Sequence, residues 1–338
     1  MKRAATGALV GLAVGDAMGF PTEFNGMEQI AAKFGPWRGM ALPVSSGTAY
    51  VTDDTQMTLA LGEGLAEALG DGDGGLTAER LEAAVRPRFV EWCFSPENNR
   101  APGTTCLRAC EALSAGGAWQ AASVVGSKGC GANMRVAPIG LVPGLDERQG
   151  SGAAQLQAAL THGHPTALAA SDLTAYTVRL LAQGTGPAEL LPALRDYAHR
   201  GRGHYRADWL GDLAEYAQDP DRDSFATRGW DECLAVLDRL EDALRSPDPE
   251  ADPCLATGAG WIAEEALVTG LYCFLLLPDD PPAVVRRAAY SSGDSDSIAA
   301  LAGAFAGAWH GADAWPEEWV RDIEYRDRLL ALGAAWDA

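Results

Sequence analysis

Glycine recurs at every fourth position near both ends of this chain: Gly7, Gly11, Gly15 and Gly19 at the start, and Gly303, Gly307 and Gly311 near the finish. In an α-helix, residues four apart share one face, so each set makes a stripe free of side chains. Such a stripe lets another backbone approach closely. The two striped helices are therefore expected to pack on each other in the core, bringing residues 15–23 next to residues 294–297.

The remainder of the chain shows helical periodicity with Ala and Leu dominant, and strand-like alternation is scarce. The pattern predicts helices over 3–18, 55–69, 77–94, 103–115, 150–160, 165–182, 187–200, 206–217, 229–244, 260–276, 281–290, 296–310 and 317–332. Gly and Pro punctuate them at Gly70–Gly75, Pro102-Gly103, Pro143-Gly144, Gly184–Pro187 and Pro247–Pro253. Nothing resembles an interdomain linker. One all-α, multi-helix domain spanning 1–338 is expected, with the charge-rich stretch 201–253 at its periphery. The start, Met1-Lys2-Arg3 followed by Ala4–Val14, imitates a signal peptide, but Asp16 interrupts the run and the glycine stripe marks a buried helix. Ile298–Ala308 is too short to span a bilayer.

With 26 basic against 46 acidic residues among 338, the formal net charge is −20. That balance disfavours tight non-specific nucleic-acid binding, which needs clustered Lys and Arg. Seven scattered cysteines without a CxxC pair point to reduced thiols and a cytoplasmic setting. Cys106 and Cys110 sit at i, i+4 spacing, but no histidine follows at zinc-ligand spacing, so they read as core residues.

Two acidic clusters carry the chemistry: Thr52-Asp53-Asp54-Thr55 and Ser292-Gly293-Asp294-Ser295-Asp296-Ser297. Each alone could be a helix N-terminus, where Thr or Asp caps free amides and acids suit the macrodipole. Each nevertheless has one carboxylate more than capping requires, and Glu23 follows the first striped helix. Carboxylates brought together repel one another and need cations to stay ionised. An oxygen-only ligand set selects hard ions, magnesium or manganese, and a binuclear site is expected. The remainder of an EF-hand loop is missing around Asp294, no apolar strand precedes it as in a haloacid dehalogenase, and no P-loop lysine is present.

Taken in order, Gly7-x3-Gly11-x3-Gly15-Asp16-Ala17-x-Gly19-x3-Glu23, Thr52-Asp53-Asp54-Thr55 and Gly293-Asp294-Ser295-Asp296-Ser297 resemble the ADP-ribosylglycohydrolase family. Gly129-Cys130-Gly131-Ala132-Asn133-Met134-Arg135-Val136-Ala137-Pro138-Ile139-Gly140 resembles its glycine-rich loop, Thr161-His162-x-His164-Pro165 its histidine motif, and Trp261–Leu267 a late helix of its bacterial members. The likeness runs from residue 4 to 311. It implies an all-α fold and two Mg2+ (or Mn2+) held by Thr52, Asp53, Asp54, Asp294, Asp296 and Ser297. The family usually has Thr where Ser295 and Ser297 stand; Ser keeps the hydroxyl but loses the methyl that stiffens the rotamer. Catalytic roles carry over to Glu23, Asp54 and Asp296. Gly129, Cys130, Gly131, Asn133, Met134 and His162 would bind substrate, the loop amides cradling diphosphate oxygens.

The implied reaction is hydrolysis of the C1″ glycosidic bond of an ADP-ribosylated protein or small-molecule acceptor, releasing ADP-ribose, with no membrane partner. Arginine and serine linkages both occur in the family. The acceptor would meet Ser95–Thr104, where Glu97 is available for a guanidinium. The alternatives are a two-metal nucleotide phosphohydrolase and a non-catalytic ADP-ribose-binding or structural relative.

Overall fold

The computed structural model describes residues 2–70 and 75–337; of the Gly70–Gly75 punctuation, 71–74 lie outside the described residues. At the centre, the helices Ala4–Gly19 and Ser295–His310 run antiparallel in direct backbone contact. Each four-residue step along one meets a four-residue step back along the other. Gly7 faces Gly307, Gly11 faces Gly303, Gly15 faces Ala299 and Gly19 faces Ser295. A Cβ at Gly7 would lie 2.5 Å from the Gly307 carbonyl oxygen, and one at Gly19 2.5 Å from the Asp296 Cα. The antiparallel sense sets the C-terminal end of the first helix, and Glu23 after it, against the acidic N-terminus of the second.

With this pair included, the described residues form 18 α-helices and no strand, only isolated bridges, in one compact all-α domain. Pro281–Ala289, Ala263–Leu276, Pro165–Ala182 and Arg326–Trp336 cover the central pair, and Asp53–Leu69 packs on Ala78–Phe94. The first helix has no local N-cap. Asp337 supplies one from the far end of the chain, accepting from the amides of Ala5 (2.7 Å) and Thr6 (3.0 Å) and from the Thr6 hydroxyl (2.6 Å). Cys106 and Cys110 are buried. No helix among the described residues is long and apolar enough to cross a membrane.

Several expected helix bounds change, each for a local reason. The stretch 206–217 splits into Ala207–Leu210 and a 3-10 turn, because Gly211 adopts φ 56°. The stretch 317–332 becomes Glu317–Asp322 and Arg326–Trp336. There the backbone leaves the helix to pair with Ala49: Ala49 N donates to Asp322 O (2.7 Å) and Glu324 N to Ala49 O (3.0 Å). The break frees the Glu324 carboxylate to accept from Val51 N at 3.1 Å, directly before the Thr52 motif. The helix expected over 229–244 begins earlier, at Arg222, where Asp221 caps Ser224 N at 2.7 Å. Its Phe225, Trp230, Val236, Leu237 and Leu240 are buried, so part of 201–253 belongs to the core. Met27–Phe34, Ala137–Leu141 and Pro253–Thr257 were not legible in the pattern; Met27–Phe34 buries only Ile30.

Candidate functional site

Asp16, on the first helix, is fully buried and organises the first acidic motif. Its carboxylate accepts from the amide and hydroxyl of Thr52 (3.0 and 2.8 Å) and of Thr55 (3.1 and 2.6 Å). Burial, then Asp296 nearby, pushes its pKa up to about 7. Sequence reasoning missed this role; its signal was an acid inside a glycine stripe. Asp16→Ala would leave four buried donors without an acceptor, and each such loss costs ~1–3 kcal/mol where no water can enter. A destabilisation of at least about 4 kcal/mol is the expected result in urea unfolding, and a change below about 0.5 kcal/mol would remove Asp16 from this role.

Thr52 does cap its helix, accepting from Asp54 N at 3.3 Å, and Gly103 N donates to Asp53 Oδ2 at 3.1 Å. At the second motif the capping explanation fails: Asp294 holds the N-cap position yet accepts no capping hydrogen bond. Instead one oxygen each of Glu23, Asp294 and Asp296 lie within 4.8 Å of one another. The loop carrying Glu23 is pinned there, since Thr22 donates to the Ser295 hydroxyl (2.9 Å) and Ser295 to Gly19 O (3.0 Å). Gly293 lets the motif press on the Ala259 backbone; a Cβ would lie 2.7 Å from the Ala259 carbonyl carbon.

The two motifs, some 240 positions apart in the sequence, are near enough for their charges to act on each other, since Asp296 and Asp294 both raise Asp54. Burial, then Asp296 and Asp53, raises Glu23 to about 9. Burial raises Asp53 to about 8, with Asp296 and Asp16 adding to the rise. Asp54, Asp294 and Asp296 are raised as well, by burial first; Asp296 then adds to the rise at Asp54 and at Asp294. Two buried oxygens, Glu23 Oε2 and Asp54 Oδ2, have no hydrogen-bond partner. Buried polar atoms are normally satisfied, so these two oxygens are open to a partner from outside the chain. The Ser297 hydroxyl lies at this cluster, beside Asp294 and 4.0 Å from Met134 Sδ.

The glycine-rich loop lies next to the cluster, with Cys130 near Asp294 and Asp54. Cys130 N donates to Trp261 O (3.1 Å), so its amide is committed within the chain. Asn133 is wholly buried, its Nδ2 donating to Ala263 O at 2.9 Å. His162 lies beneath the loop: a Cβ on Gly129 would be 3.4 Å from its Nε2 and one on Gly131 3.0 Å from its Cε1. Burial, then Arg135, lowers His162 to about 3, so the ring is neutral. Arg135, a residue that sequence reasoning quoted without a role, is buried under the same loop. It donates to Gly131 O (2.9 Å), to Gln157 Oε1 (2.8 Å) and to Thr161 Oγ1 (2.8 Å), and its guanidinium sits 4.4 Å from the Phe89 ring centroid. Glu97 is engaged outside the cluster, accepting from the Tyr325 hydroxyl at 2.5 Å.

A family profile described as ADP-ribosylglycohydrolase matches residues 1–337. The chain is similar to the ADP-ribosyl-(dinitrogen reductase) glycohydrolase of Rhodospirillum rubrum, 26% identical over 97% of this chain and 96% of that protein. It is 27% identical to the ADP-ribosylhydrolase ARH3 of Mus musculus, over 94% of this chain and 86% of that one. A solved structure described as an ADP-ribosylglycohydrolase-related protein complex superposes with a TM-score of 0.64 at 23% identity, covering 99% of this chain and 98% of the other. At that identity the likeness is one of fold.

Proposed function

The chain belongs to the ADP-ribosylglycohydrolase family, and from that premise we propose that it cleaves the C1″ glycosidic bond of ADP-ribosylated acceptors with the help of magnesium or manganese. The observation that carries this reading is the pair of unpartnered buried oxygens, Glu23 Oε2 and Asp54 Oδ2, inside a cluster of carboxylates. Buried carboxylates held this close need protons or cations between them. An all-oxygen donor set fits hard divalent ions. The residues to hold them are Asp53, Asp54, Asp294 and Asp296, with the hydroxyls of Thr52 and Ser297. Glu23, whose carboxylate groups with Asp294 and Asp296, is kept for the attacking water rather than for the ions. When bound, two such ions supply charge neutralisation, a template for ribose hydroxyls and a more acidic water.

The side chains divide the remaining work. Asp16 holds Thr52 and Thr55 in place, which aims Asp53 and Asp54 into the cluster. Glu23 Oε2 is free to take the proton of the attacking water. As the C1″ bond stretches, positive charge grows on the ribose, and the carboxylates of Asp54 and Asp296 stabilise it. Backbone amides of the Gly129–Ala132 turn are the candidates for the diphosphate, with Cys130 N and Gly129 N, which donate to Trp261 O and Ser127 Oγ, excepted. Arg135 and His162 hold that turn from beneath.

The direct test is incubation with arginine- and serine-linked ADP-ribosylated peptides in Mg2+, Mn2+ or EDTA. ADP-ribose released with metal and not with EDTA is the expected outcome; phosphate release would favour a phosphohydrolase, and no product from either peptide would end the enzymatic reading. A second measurement addresses the ligands. Asp294→Asn is expected to shrink the thermal stabilisation given by Mg2+, because a neutral amide coordinates hard cations more weakly than a carboxylate. An unchanged shift would remove Asp294 from the set.

A further inference from the structure

Two large aromatic side chains stand in solvent beside the carboxylates. Phe24 is 71% exposed and Trp261 42%, yet they stack on each other, with ring centroids 5.5 Å apart and planes inclined by 21°. Phe24 directly follows Glu23, on left-handed backbone with φ 61°, uncommon for a residue with a side chain. Trp261 directly follows Gly260, where a Cβ would lie 3.4 Å from Asp294 Cβ. The ring pair therefore bridges the two loops that border the cluster, one bearing Glu23 and the other abutting Asp294. Phe and Trp each bury ~150–250 Å² when packed, so a strained turn that leaves such a pair in water points to contact with something outside the chain.

Building on the glycohydrolase reading above, we propose that Phe24 and Trp261 form the platform for the leaving group, and that the group they fit is a planar cation, the guanidinium of an ADP-ribosylated arginine side chain. Position argues first. The acceptor is joined at C1″, where the carboxylates act, while the adenine lies beyond the diphosphate and a second ribose. A ring pair one residue from Glu23 meets the acceptor end.

Recognition chemistry agrees. A guanidinium is flat and weakly hydrated, and it stacks on aromatic faces; a serine linkage presents neither plane nor charge.

The bond-breaking step also suits this leaving group. Water attacks C1″, the C1″–N bond breaks, and its electron pair stays on nitrogen. A substituted guanidinium departs as neutral guanidine and needs no proton beforehand. The proton lost by water then restores the guanidinium. A serine oxygen would leave as an alkoxide and demand a proton donor at once, and His162, neutral and beneath the loop, does not supply one.

The test compares wild type, Phe24→Ala and Trp261→Ala on arginine-linked and serine-linked peptides, with calorimetric binding of free ADP-ribose alongside. Both side chains face solvent, so the variants keep the fold. Each substitution is expected to lower kcat/KM for the arginine-linked peptide by about tenfold (~1.4 kcal/mol), mainly through KM, while the free ADP-ribose dissociation constant stays within about twofold. A parallel loss of ADP-ribose affinity would assign the rings to the adenosine end and overturn the proposal. So would an equal loss on the serine-linked peptide. Wild type that releases ADP-ribose from neither linkage and does not bind it would overturn the glycohydrolase reading, and this inference with it.

Discussion

Replacing Gly303 with valine is expected to leave no stably folded protein. A Cβ there would strike the Gly11 carbonyl, lying 2.6 Å from its carbon and 3.2 Å from Val285 Cγ1. Overpacking a core usually costs ~1–3 kcal/mol, because flexible side chains move aside. Here the obstacle is backbone, inside the helix that meets Ser295–His310 along its whole length. Relief requires separating the two helices, which would open the Gly7, Gly15 and Gly307 contacts as well and carry Glu23 away from Asp294 and Asp296. The combined loss should exceed about 5 kcal/mol, a large part of the ~5–15 kcal/mol by which domains are stable. Gly150→Ala is the control. That glycine is helical with only the Arg179 Nη1 nearby, at 3.7 Å, so alanine should be neutral or stabilise by about 0.5–1 kcal/mol. Soluble yield and urea midpoints separate the cases; a Gly303→Val protein with the wild-type midpoint would refute the close-packed pair.

The stripe could be seen in the sequence because an absent side chain on a repeating face has few other uses. The acidic motifs were visible for a similar reason, since Asp53-Asp54 and Asp294-x-Asp296 exceed what capping needs. What stayed hidden depends on contacts between distant positions. Asp16 accepts from residues 36 and 39 positions away, and nothing local distinguishes it from a misplaced helix acid. Asp337 caps a helix more than 330 residues upstream. The 317–332 stretch reads as one helix by propensity, and only the pairing of Ala49 with Asp322 and Glu324 explains why Tyr325 turns to φ 57°. Tertiary contacts outweigh local preference at those points. The glycine-rich loop is an intermediate case. Its glycines admit Cys106 and His162 beneath the chain, a steric need that sequence does not separate from phosphate binding.

Stripping divalent cations above pH 8 is expected to destabilise this protein more than any single surface substitution. Asp16 and Asp53 are raised to about 7 and about 8 from an ordinary 3.8, and both are fully buried. Between roughly pH 4 and those values the folded chain holds protons that the unfolded chain has released. Unfolding then releases protons, so stability falls as pH rises through that window. Each pKa unit is worth ~1.36 kcal/mol, and two buried groups shifted by several units make the cation-free cost on the order of several kcal/mol. Magnesium or manganese at Asp53, Asp54, Asp294 and Asp296 would take the place of the protons and remove the slope. Scanning fluorimetry at pH 5.5, 7 and 8.5 should therefore show a melting temperature that drops with pH in EDTA and stays nearly level in Mg2+. The gap at the highest pH should be on the order of 5 °C. Because protons and cations compete for the same oxygens, the Mg2+ concentration at half-effect should also fall as pH rises. Melting curves that coincide with and without metal at pH 8.5 would mean that the carboxylates are stabilised by something other than a cation, and the proposed chemistry would lose its footing.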